Sequence, residues 1–250
     1  MPSGPEPIAF DWFEHGPRLR QRRQLSCGES SVQNVLFVLD TSGSIGRVQF
    51  DRMKVALGKL TPLFCKQVRF ALITFSSYVN LEFCFNCFEN TYLGRQEAKS
   101  AIENTPYQGG GTHTAGAARC VCEEMLTSSC GIDSSQPLCL DVVFITDGKS
   151  NDPNLDVCEE VRCLHNRHDV NTYAIGISSG SGFQQTYDQE ELDCITNYSD
   201  EFSAFQYESF DEFESSITKI IVRLANALPT SPESCVNRDA SLSPTGAPPF

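Results

Sequence analysis

Oxygen-bearing side chains cluster where two apolar segments of the sequence end. One segment finishes at Asp40 and is followed by Ser42 and Ser44, and a second finishes at Asp147. A carboxylate that closes a buried strand is costly unless it meets water, a partner or a metal ion. Two such carboxylates facing each other would repel, and a cation between them would relieve the repulsion. These residues therefore predict a cation site shared by two strand ends.

A third segment adds to this set. Three glycines, at positions 109–111, precede Thr112, and glycine lets the backbone adopt unusual dihedrals and approach closely. Two carboxylates and three hydroxyls form an all-oxygen set that suits a hard cation, and Mg²⁺ keeps several waters and needs few direct protein ligands. We predict Mg²⁺, with Mn²⁺ or Ca²⁺ as alternatives, at Asp40, Ser42, Ser44, Thr112 and Asp147.

The segments that position these residues alternate between strand and helix patterns. Near-continuous apolar runs, typical of strands buried on both faces of a parallel sheet, occur at 32–40, 68–75, 141–147 and 171–177. The segments between them have helical spacing, as at Phe50, Met53 and Leu57. This alternation predicts an α/β doubly wound fold with helices on both faces and a ligand crevice at the carboxyl ends of the strands.

The complete prediction contains six strands and six helices. The strands are 32–40, 68–75, 79–85, 141–147, 171–177 and 203–207. The helices are 47–63, 95–104, 115–127, 155–167, 188–196 and 210–228. Only three residues separate the second and third strands, too few for a parallel crossover, so the third strand is expected to be antiparallel at the sheet edge.

At the oxygen-bearing residues the sequence resembles a known family. Asp40-Thr-Ser-Gly-Ser44 is similar to the DxSxS motif of von Willebrand factor type A (vWA) domains, and Thr112 and Asp147 stand where the other two parts of that family's metal-ion-dependent adhesion site fall. The resemblance spans about 32–227 and implies a mostly parallel, Rossmann-like six-stranded sheet in the order 3-2-1-4-5-6. Within the family, the stretches that begin at Tyr107, Phe144 and Ser209 are most similar to the vWA domains of polydom-like extracellular proteins.

The resemblance also implies a role for each site residue. Ser42, Ser44 and Thr112 would coordinate the metal through their hydroxyls, while Asp40 and Asp147 would act largely through water and hydrogen bonds. The metal would keep an open position, which an Asp or Glu side chain of a partner would complete. The ligand-binding rim would comprise Gly43, Gly111, His113 and Gly148. The alternative is a vWA fold that has lost metal affinity or uses another face.

The function predicted on this basis is that of an extracellular adhesion or matrix module that binds a protein through the cation. One alternative is a disulfide-stabilised structural matrix component in which the metal is incidental, and a remote one is a Mg²⁺-dependent hydrolase. We predict no enzyme activity, because the sequence has no dinucleotide-binding, P-loop, nucleophile-elbow or zinc-protease motif. No histidine in a suitable context accompanies Ser42 or Ser44 as a general base.

The charge and the cysteine content limit which partners and which cellular location are expected. The net charge of −13 disfavours nucleic-acid and anionic-lipid partners, and no apolar run is long enough to predict membrane insertion. Twelve cysteines in 250 residues favour an oxidising, extracellular location and secretion. Residues 1–25 nevertheless show no signal-peptide pattern.

The cysteine spacing predicts structural disulfides rather than a zinc site. Cys84-x-x-Cys87 has no second CxxC to complete a zinc ribbon. Cys65 lies just before one strand of the antiparallel pair, and Cys84 and Cys87 lie at the end of the other. Antiparallel pairing brings these points together, so we expect Cys65 to bond to Cys84 or Cys87.

Two further pairs are expected. Cys130 and Cys139 flank a loop that a disulfide between them would close. Resemblance to vWA domains, which often tie their ends together, implies a Cys27–Cys235 bond. The sequence pairs none of the remaining five, Cys120, Cys122, Cys158, Cys163 and Cys194.

The two ends of the chain differ in composition from its middle. Residues 1–26 are a Pro- and Arg-containing lead-in, expected to be disordered, with a candidate dibasic processing site at 20–23. The vWA domain is expected to cover 27–235, followed by a Ser/Pro-rich tail at 236–250. Asn197 begins an Asn-Tyr-Ser sequon and is a candidate glycosylation site.

Overall fold

A single twisted sheet organises the part of the chain that the computed structural model describes, namely residues 32–64, 67–133, 139–166, 170–178, 187–197 and 204–216. Its strands are β1 (Gln33–Asp40), β2 (Val68–Phe75), β3 (Val79–Phe83), β4 (Leu140–Thr146), β5 (Val170–Ile177) and β6 (Ala204–Tyr207). The order is β3-β2-β1-β4-β5-β6, and every pairing is parallel except that of β2 with β3. The predicted fold class and strand order are therefore confirmed.

Helices cover both faces of this sheet. They are α1 (Gly46–Leu60), α2 (Tyr92–Asn104), α3 (Thr114–Cys120), α4 (Val157–Glu160), α5 (Arg162–His165), α6 (Gln189–Ile195) and α7, of which residues 210–216 are described. No helix within the described ranges is long and apolar enough to cross a membrane.

The alternation of side chains along each strand produces two separate cores. Phe37, packed 6.1 Å from Phe70 between ring centres, belongs to the core beneath α1 and α2. Leu36 and Phe144 belong to the core beneath α3 and α4. All eight residues of β1 are buried, because the central strand is covered on both faces. The apolar runs in the sequence reflect this double burial.

Several helices depart from their predicted limits, and two of them show the physical reason. The second helix starts at Tyr92 rather than at 95, because the Thr91 hydroxyl accepts a hydrogen bond from the Gly94 N–H and caps the helix there. The helix predicted over 155–167 is divided into α4 and α5 at Val161. Its first turn is capped by Asp156, whose carboxylate accepts a hydrogen bond from the Glu159 N–H at 3.0 Å.

Disulfides join elements on the α3 side of the sheet. The described bonds are Cys84–Cys130, Cys122–Cys163 and Cys158–Cys194. The last two connect the segment containing α4 and α5 to its neighbours, since Cys122 follows α3 and Cys194 lies in α6. These bonds hold together a layer of short helices, none of which is long enough to be stable alone.

Two of the predicted pairings are wrong. Cys130 bonds to Cys84 and not to Cys139, which is itself disulfide-bonded. The expected bond of Cys84 or Cys87 to Cys65 is not formed, because Cys84 is bonded to Cys130 and Cys87 is a free thiol; Cys65 itself lies outside the described residues. The physical reason is the sheet face: Cys84 and Cys130 both pack on the α3 core, which sequence separation does not reveal. The Cys27–Cys235 prediction lies outside the described residues.

Two free thiols differ sharply in their surroundings. Cys87 is exposed, whereas Cys120 is half-buried, and burial together with Glu124 and Glu123 raises the pKa of the Cys120 thiol to about 11. At pH 8 only about one in a thousand Cys120 side chains is then the reactive thiolate. We expect iodoacetamide at pH 8 to alkylate Cys87 at least ten times faster than Cys120, as measured by peptide mass spectrometry. Equal rates would contradict this assignment.

Candidate metal site

Asp40 closes β1 and is fully buried at the carboxyl edge of the sheet. Its Oδ1 accepts a hydrogen bond from the Ser42 N–H at 2.7 Å, and its Oδ2 accepts one from the Thr146 hydroxyl at 2.7 Å. Burial, together with the nearby charge of Asp147, raises the pKa of the Asp40 carboxyl to about 7. Within the described residues, no basic side chain compensates the negative charge of Asp40.

A chain of oxygen atoms leads from the loop after β1 to the end of β4. Ser42 Oγ lies 3.0 Å from Ser44 Oγ, and the Ser44 hydroxyl donates to Asp147 Oδ1 at 2.8 Å. Asp147 is fully buried and directly follows β4. Because β1 and β4 are hydrogen-bonded neighbours, the two aspartates come from adjacent strand ends. The four predicted residues Asp40, Ser42, Ser44 and Asp147 therefore lie together in one cluster.

Thr112 reaches the same place from a different loop. A Cβ atom added to Gly148 would lie 3.7 Å from Thr112 Oγ1 and 3.8 Å from Ser44 Oγ. The two hydroxyls therefore flank a space that Gly148 leaves open because it has no side chain. The Thr112 backbone is held by Asn151, whose side-chain Oδ1 accepts from the Thr112 N–H and whose N–H donates to the Thr112 carbonyl.

The glycine-rich loop needs its glycines for two reasons. Gly109 and Gly110 have φ angles of +73° and +101°, in the region that side chains other than glycine rarely adopt. The loop also lies directly on the DxSxS segment, since the Gly43 N–H donates to the Gly110 carbonyl and the Gly109 N–H donates to the Thr41 carbonyl. The predicted close backbone approach is observed here.

The β2–β3 turn supports the glycine-rich loop from the opposite side, a contact that the sequence did not reveal. The Ser77 hydroxyl accepts a hydrogen bond from the Gly111 N–H at 2.7 Å, and the His113 N–H donates to the Ser76 carbonyl. Both serines lie in the three-residue gap between two strands, where a turn alone explains their presence. Only the strand order β3-β2-β1 brings this turn to the site.

Asp152 is a second supporting residue that sequence reasoning missed. Its carboxylate accepts hydrogen bonds from the Ala115 N–H, the Gly116 N–H and the Ser150 hydroxyl. It therefore holds the first turn of α3 against the loop after β4. The sequence shows an acidic residue five positions beyond Asp147, but it does not show that this residue binds the first turn of α3.

The predicted rim residues lie around this space. Gly43 is exposed, while Gly111, His113 and Gly148 are half-buried. The His113 side chain is 25% exposed, and its Nδ1 lies 3.9 Å from Asp152 Oδ1. His113 thus borders the oxygen cluster without belonging to it.

The donor chemistry of this cluster fits a hard divalent cation. It offers carboxylate and hydroxyl oxygens only, with no thiolate or imidazole among its members, which favours Mg²⁺, Mn²⁺ or Ca²⁺ over softer ions. Nowhere in the described ranges do three His, Cys, Asp or Glu residues gather in a way that could hold a metal ion. The predicted site depends instead on hydroxyls for three of its five side chains.

Asn197, the predicted glycosylation site, lies far along the chain from this cluster. Its φ angle is +58°, and its N–H donates to the Cys194 carbonyl just beyond α6. Its use as an acceptor stays a prediction. Of the remaining predicted disulfide residues, Cys27, Cys65 and Cys235 lie outside the described residues.

A doubly wound sheet with a DxSxS loop, a threonine loop and an aspartate at its carboxyl edge defines a vWA-type domain. The von Willebrand factor type A domain family matches residues 34–219, and the chain belongs to this family.

Curated relatives and solved structures agree with this assignment. The chain is 29% identical over 180 residues to mouse integrin alpha-X, covering 72% of this chain and 15% of the integrin. It is 28% identical over 197 residues to the mouse collagen alpha-4(VI) chain, covering 76% of this chain and 8% of the collagen. The chain therefore spans only a small part of the length of these relatives.

A mussel byssus protein is similar in fold. The structure of proximal thread matrix protein 1 with a zinc-occupied metal-ion-dependent adhesion site superposes with a TM-score of 0.63 at 20% identity. The match covers 82% of this chain and 46% of the byssus protein.

Proposed function

We propose that this domain is an extracellular adhesion or matrix module that binds a protein partner through a divalent cation, with Mg²⁺ as the expected ion. The observation that carries the proposal is the convergence of Asp40, Ser42, Ser44 and Asp147 in one hydrogen-bonded oxygen network with Thr112 beside it. A bound Mg²⁺ would supply a positive charge with an open coordination position for an Asp or Glu side chain of the partner.

The protein's own residues prepare the hydroxyl oxygens for such an ion. The Ser44 hydroxyl directs its hydrogen to Asp147, which leaves the oxygen lone pairs free to face a cation. Asp40 orients the loop by accepting the Ser42 N–H, so that Ser42 Oγ lies beside Ser44 Oγ. In this arrangement the two carboxylates position the hydroxyls and compensate the ion's charge without needing to touch it.

The relatives support the extracellular part of the proposal. The vWA domains matched here belong to integrin and collagen chains, and the byssus protein carries zinc in its adhesion site. The described disulfides are consistent with an oxidising compartment. Secretion, glycosylation at Asn197 and membership of the polydom-like group of vWA proteins form part of the proposal and rest on the sequence patterns.

Cation dependence of partner binding tests the proposed function. The immobilised chain is incubated with solubilised extracellular matrix in 2 mM Mg²⁺ or in EDTA, and the bound proteins are quantified by mass spectrometry. We expect at least one matrix or cell-surface protein to be enriched about tenfold with Mg²⁺, and the Asp40→Asn variant to lose this enrichment. Enrichment that is equal in EDTA and in Asp40→Asn would exclude a cation-mediated mechanism.

The second candidate function is a structural matrix component, and the disulfide-linked layer of short helices favours it. In that case the partners would bind equally well in Mg²⁺ and in EDTA. Reduction of the disulfides would then remove binding, while chelation of the metal would not.

A further inference from the structure

We propose that Arg47 is a second anion-binding position beside the metal site, so that the partner segment presents two carboxylates. One carboxylate would approach the cation and the other would pair with Arg47. The inference rests on the proposed cation-dependent function and makes the class of partner more specific.

Arg47 is held in place by an aromatic ring. It is exposed in the first turn of α1, and its guanidinium carbon lies 5.5 Å from the centre of the Tyr107 ring. Tyr107 itself packs against Phe50 in the core, with ring centres 5.9 Å apart. A guanidinium near an aromatic face does not use its N–H donors in that contact, so they stay available for bidentate binding of a carboxylate.

The same tyrosine ties Arg47 to the oxygen cluster. The Tyr107 hydroxyl donates a hydrogen bond to the Ser42 carbonyl at 3.1 Å. Ser42 contributes its Oγ to the cluster, 3.0 Å from Ser44 Oγ. The Arg47 guanidinium and the Ser42 carbonyl therefore contact the same tyrosine side chain.

Most exposed cations of the described residues already have an acidic partner. Arg52 binds Asp211 and Glu214, Arg119 binds Glu160, and Lys149 binds Asp188. In contrast, the residues that the structure describes place no carboxylate within salt-bridge distance of Arg47. Its charge is consequently available to a ligand from outside.

The negative charge of the whole chain makes a positive side chain beside the site important for an acidic partner. A net charge of −13 repels an acidic partner, so an unneutralised arginine beside the site would lower the local barrier to approach and orient the ligand. In an extended peptide, side chains two residues apart lie on the same side at about 7 Å. An extended segment with acidic residues at alternate positions, or four residues apart, would carry both carboxylates on one side.

Three fluorescein-labelled peptides test the proposal by fluorescence polarisation in saturating Mg²⁺. All three are C-terminally amidated, and they are Gly-Glu-Gly-Glu-Gly, its four-residue-spaced form Gly-Glu-Gly-Gly-Gly-Glu-Gly, and the singly acidic Gly-Glu-Gly-Gln-Gly. We expect the wild-type protein to bind one of the doubly acidic peptides at least fivefold more tightly than the singly acidic one. Arg47→Gln should reduce this ratio to about one, and Arg47→Lys should retain part of it.

Arg162→Gln is the matched control. Arg162 is also exposed and has no carboxylate partner among the described residues. It lies in α5, which precedes β5, and is therefore near the amino-terminal ends of the strands, away from the metal site. This variant changes the net charge equally and should keep the wild-type ratio. Arg47→Gln should also bind Mn²⁺ as wild type does, within about threefold by calorimetry, because Arg47 is not a ligand.

The outcomes separate the two proposals. If binding requires Mg²⁺ but the ratio is unchanged in Arg47→Gln, the second anion position is wrong and the proposed function stands. A singly acidic peptide that binds equally in EDTA overturns the proposed function itself. A wild-type protein that binds none of the peptides at millimolar concentration overturns both.

Discussion

Asp40→Asn is expected to abolish divalent-cation binding while leaving the metal-free fold intact or more stable. The wild-type protein should show one Mg²⁺ or Mn²⁺ site by isothermal titration calorimetry, and the variant should bind at least 100-fold more weakly. The reason is electrostatic: Asp40 and Asp147 are both fully buried, and without one of the charges the site loses much of its attraction for a cation.

Asp40→Asn is expected to weaken cation binding but to stabilise the metal-free protein. A buried carboxylate near a second one is costly, and the pKa of Asp40 of about 7 expresses that cost. Asparagine can keep both contacts, accepting the Ser42 N–H and donating to the Thr146 hydroxyl, which can turn to the Gly148 carbonyl. We therefore expect the free energy of unfolding in EDTA to rise by about 1–2 kcal/mol.

Chemical denaturation with and without Mg²⁺ measures both effects. Mg²⁺ at ten times its dissociation constant should stabilise the wild-type protein by about 1.4 kcal/mol and the variant not at all. The metal site would be misassigned if Asp40→Asn bound Mg²⁺ as tightly as the wild type. If the wild-type protein bound no divalent cation, the proposed mechanism would fail.

The second large effect concerns a buried carboxylate at the other end of the same sheet. Asp141 lies near the start of β4 and accepts hydrogen bonds from Gln33 Nε2 at 2.5 Å and Asn171 Nδ2 at 2.9 Å. Burial raises the pKa of the Asp141 carboxyl to about 6, although both hydrogen bonds favour its charged form. Among the described residues, the charge of Asp141 is therefore stabilised by two side-chain amides.

The sign of the pH dependence follows from this raised pKa. The folded protein holds the Asp141 proton more tightly than the unfolded chain, so the group's stabilising contribution is complete below pH 4 and is lost as the pH rises through 6. A pKa that is higher by about two in the folded protein than in the unfolded chain corresponds to about 3 kcal/mol. Asp141→Asn cannot ionise, so its stability relative to the wild type should improve by about this amount between pH 4 and pH 7.

Urea denaturation of the two proteins in EDTA at pH 4, 5, 6 and 7 measures this difference, and contributions from all other groups cancel. In Asp141→Asn one neighbouring amide must turn to offer its oxygen, which adds a cost that does not vary with pH. A constant difference for Asp141→Asn would show that its ionisation is not linked to folding.

The two aspartate variants also control each other. Both remove one buried negative charge from the sheet, Asp40 at the carboxyl edge and Asp141 at the amino edge. Only Asp40→Asn should affect cation binding. A loss of cation binding in both would indicate a general electrostatic effect rather than a site.

Strand positions could be predicted from the sequence because strands that are buried on both faces consist of nearly continuous apolar runs. β1 and β4 are entirely buried, and each polar residue at their carboxyl ends interrupts an apolar run. The edge position of β3 was predicted differently, from a connection to β2 that is too short for a crossover, and in the structure most residues of β3 are partly or fully exposed. The sequence was less informative about helix limits, since these depended on single capping contacts such as that of Thr91.

The disulfide pairing could not be predicted, for a reason that Cys84 illustrates. Antiparallel pairing of β2 with β3 suggested Cys84 or Cys87 as the partner of Cys65, but Cys84 bonds to Cys130, 46 residues away. The choice depends on which face of the sheet each side chain occupies and on how the layer of short helices packs there. Neither quantity is a property of cysteine spacing.

The sequence by itself determined the doubly wound fold and the types of oxygen ligand, because strand periodicity and residue chemistry are local properties. The tertiary structure decided which loops support those ligands. It placed Ser77 under Gly111, Asp152 under α3, and Arg47 on Tyr107 beside the DxSxS loop. These contacts join residues that are 34, 37 and 60 positions apart in the chain, and the order of strands in the sheet alone brings them together.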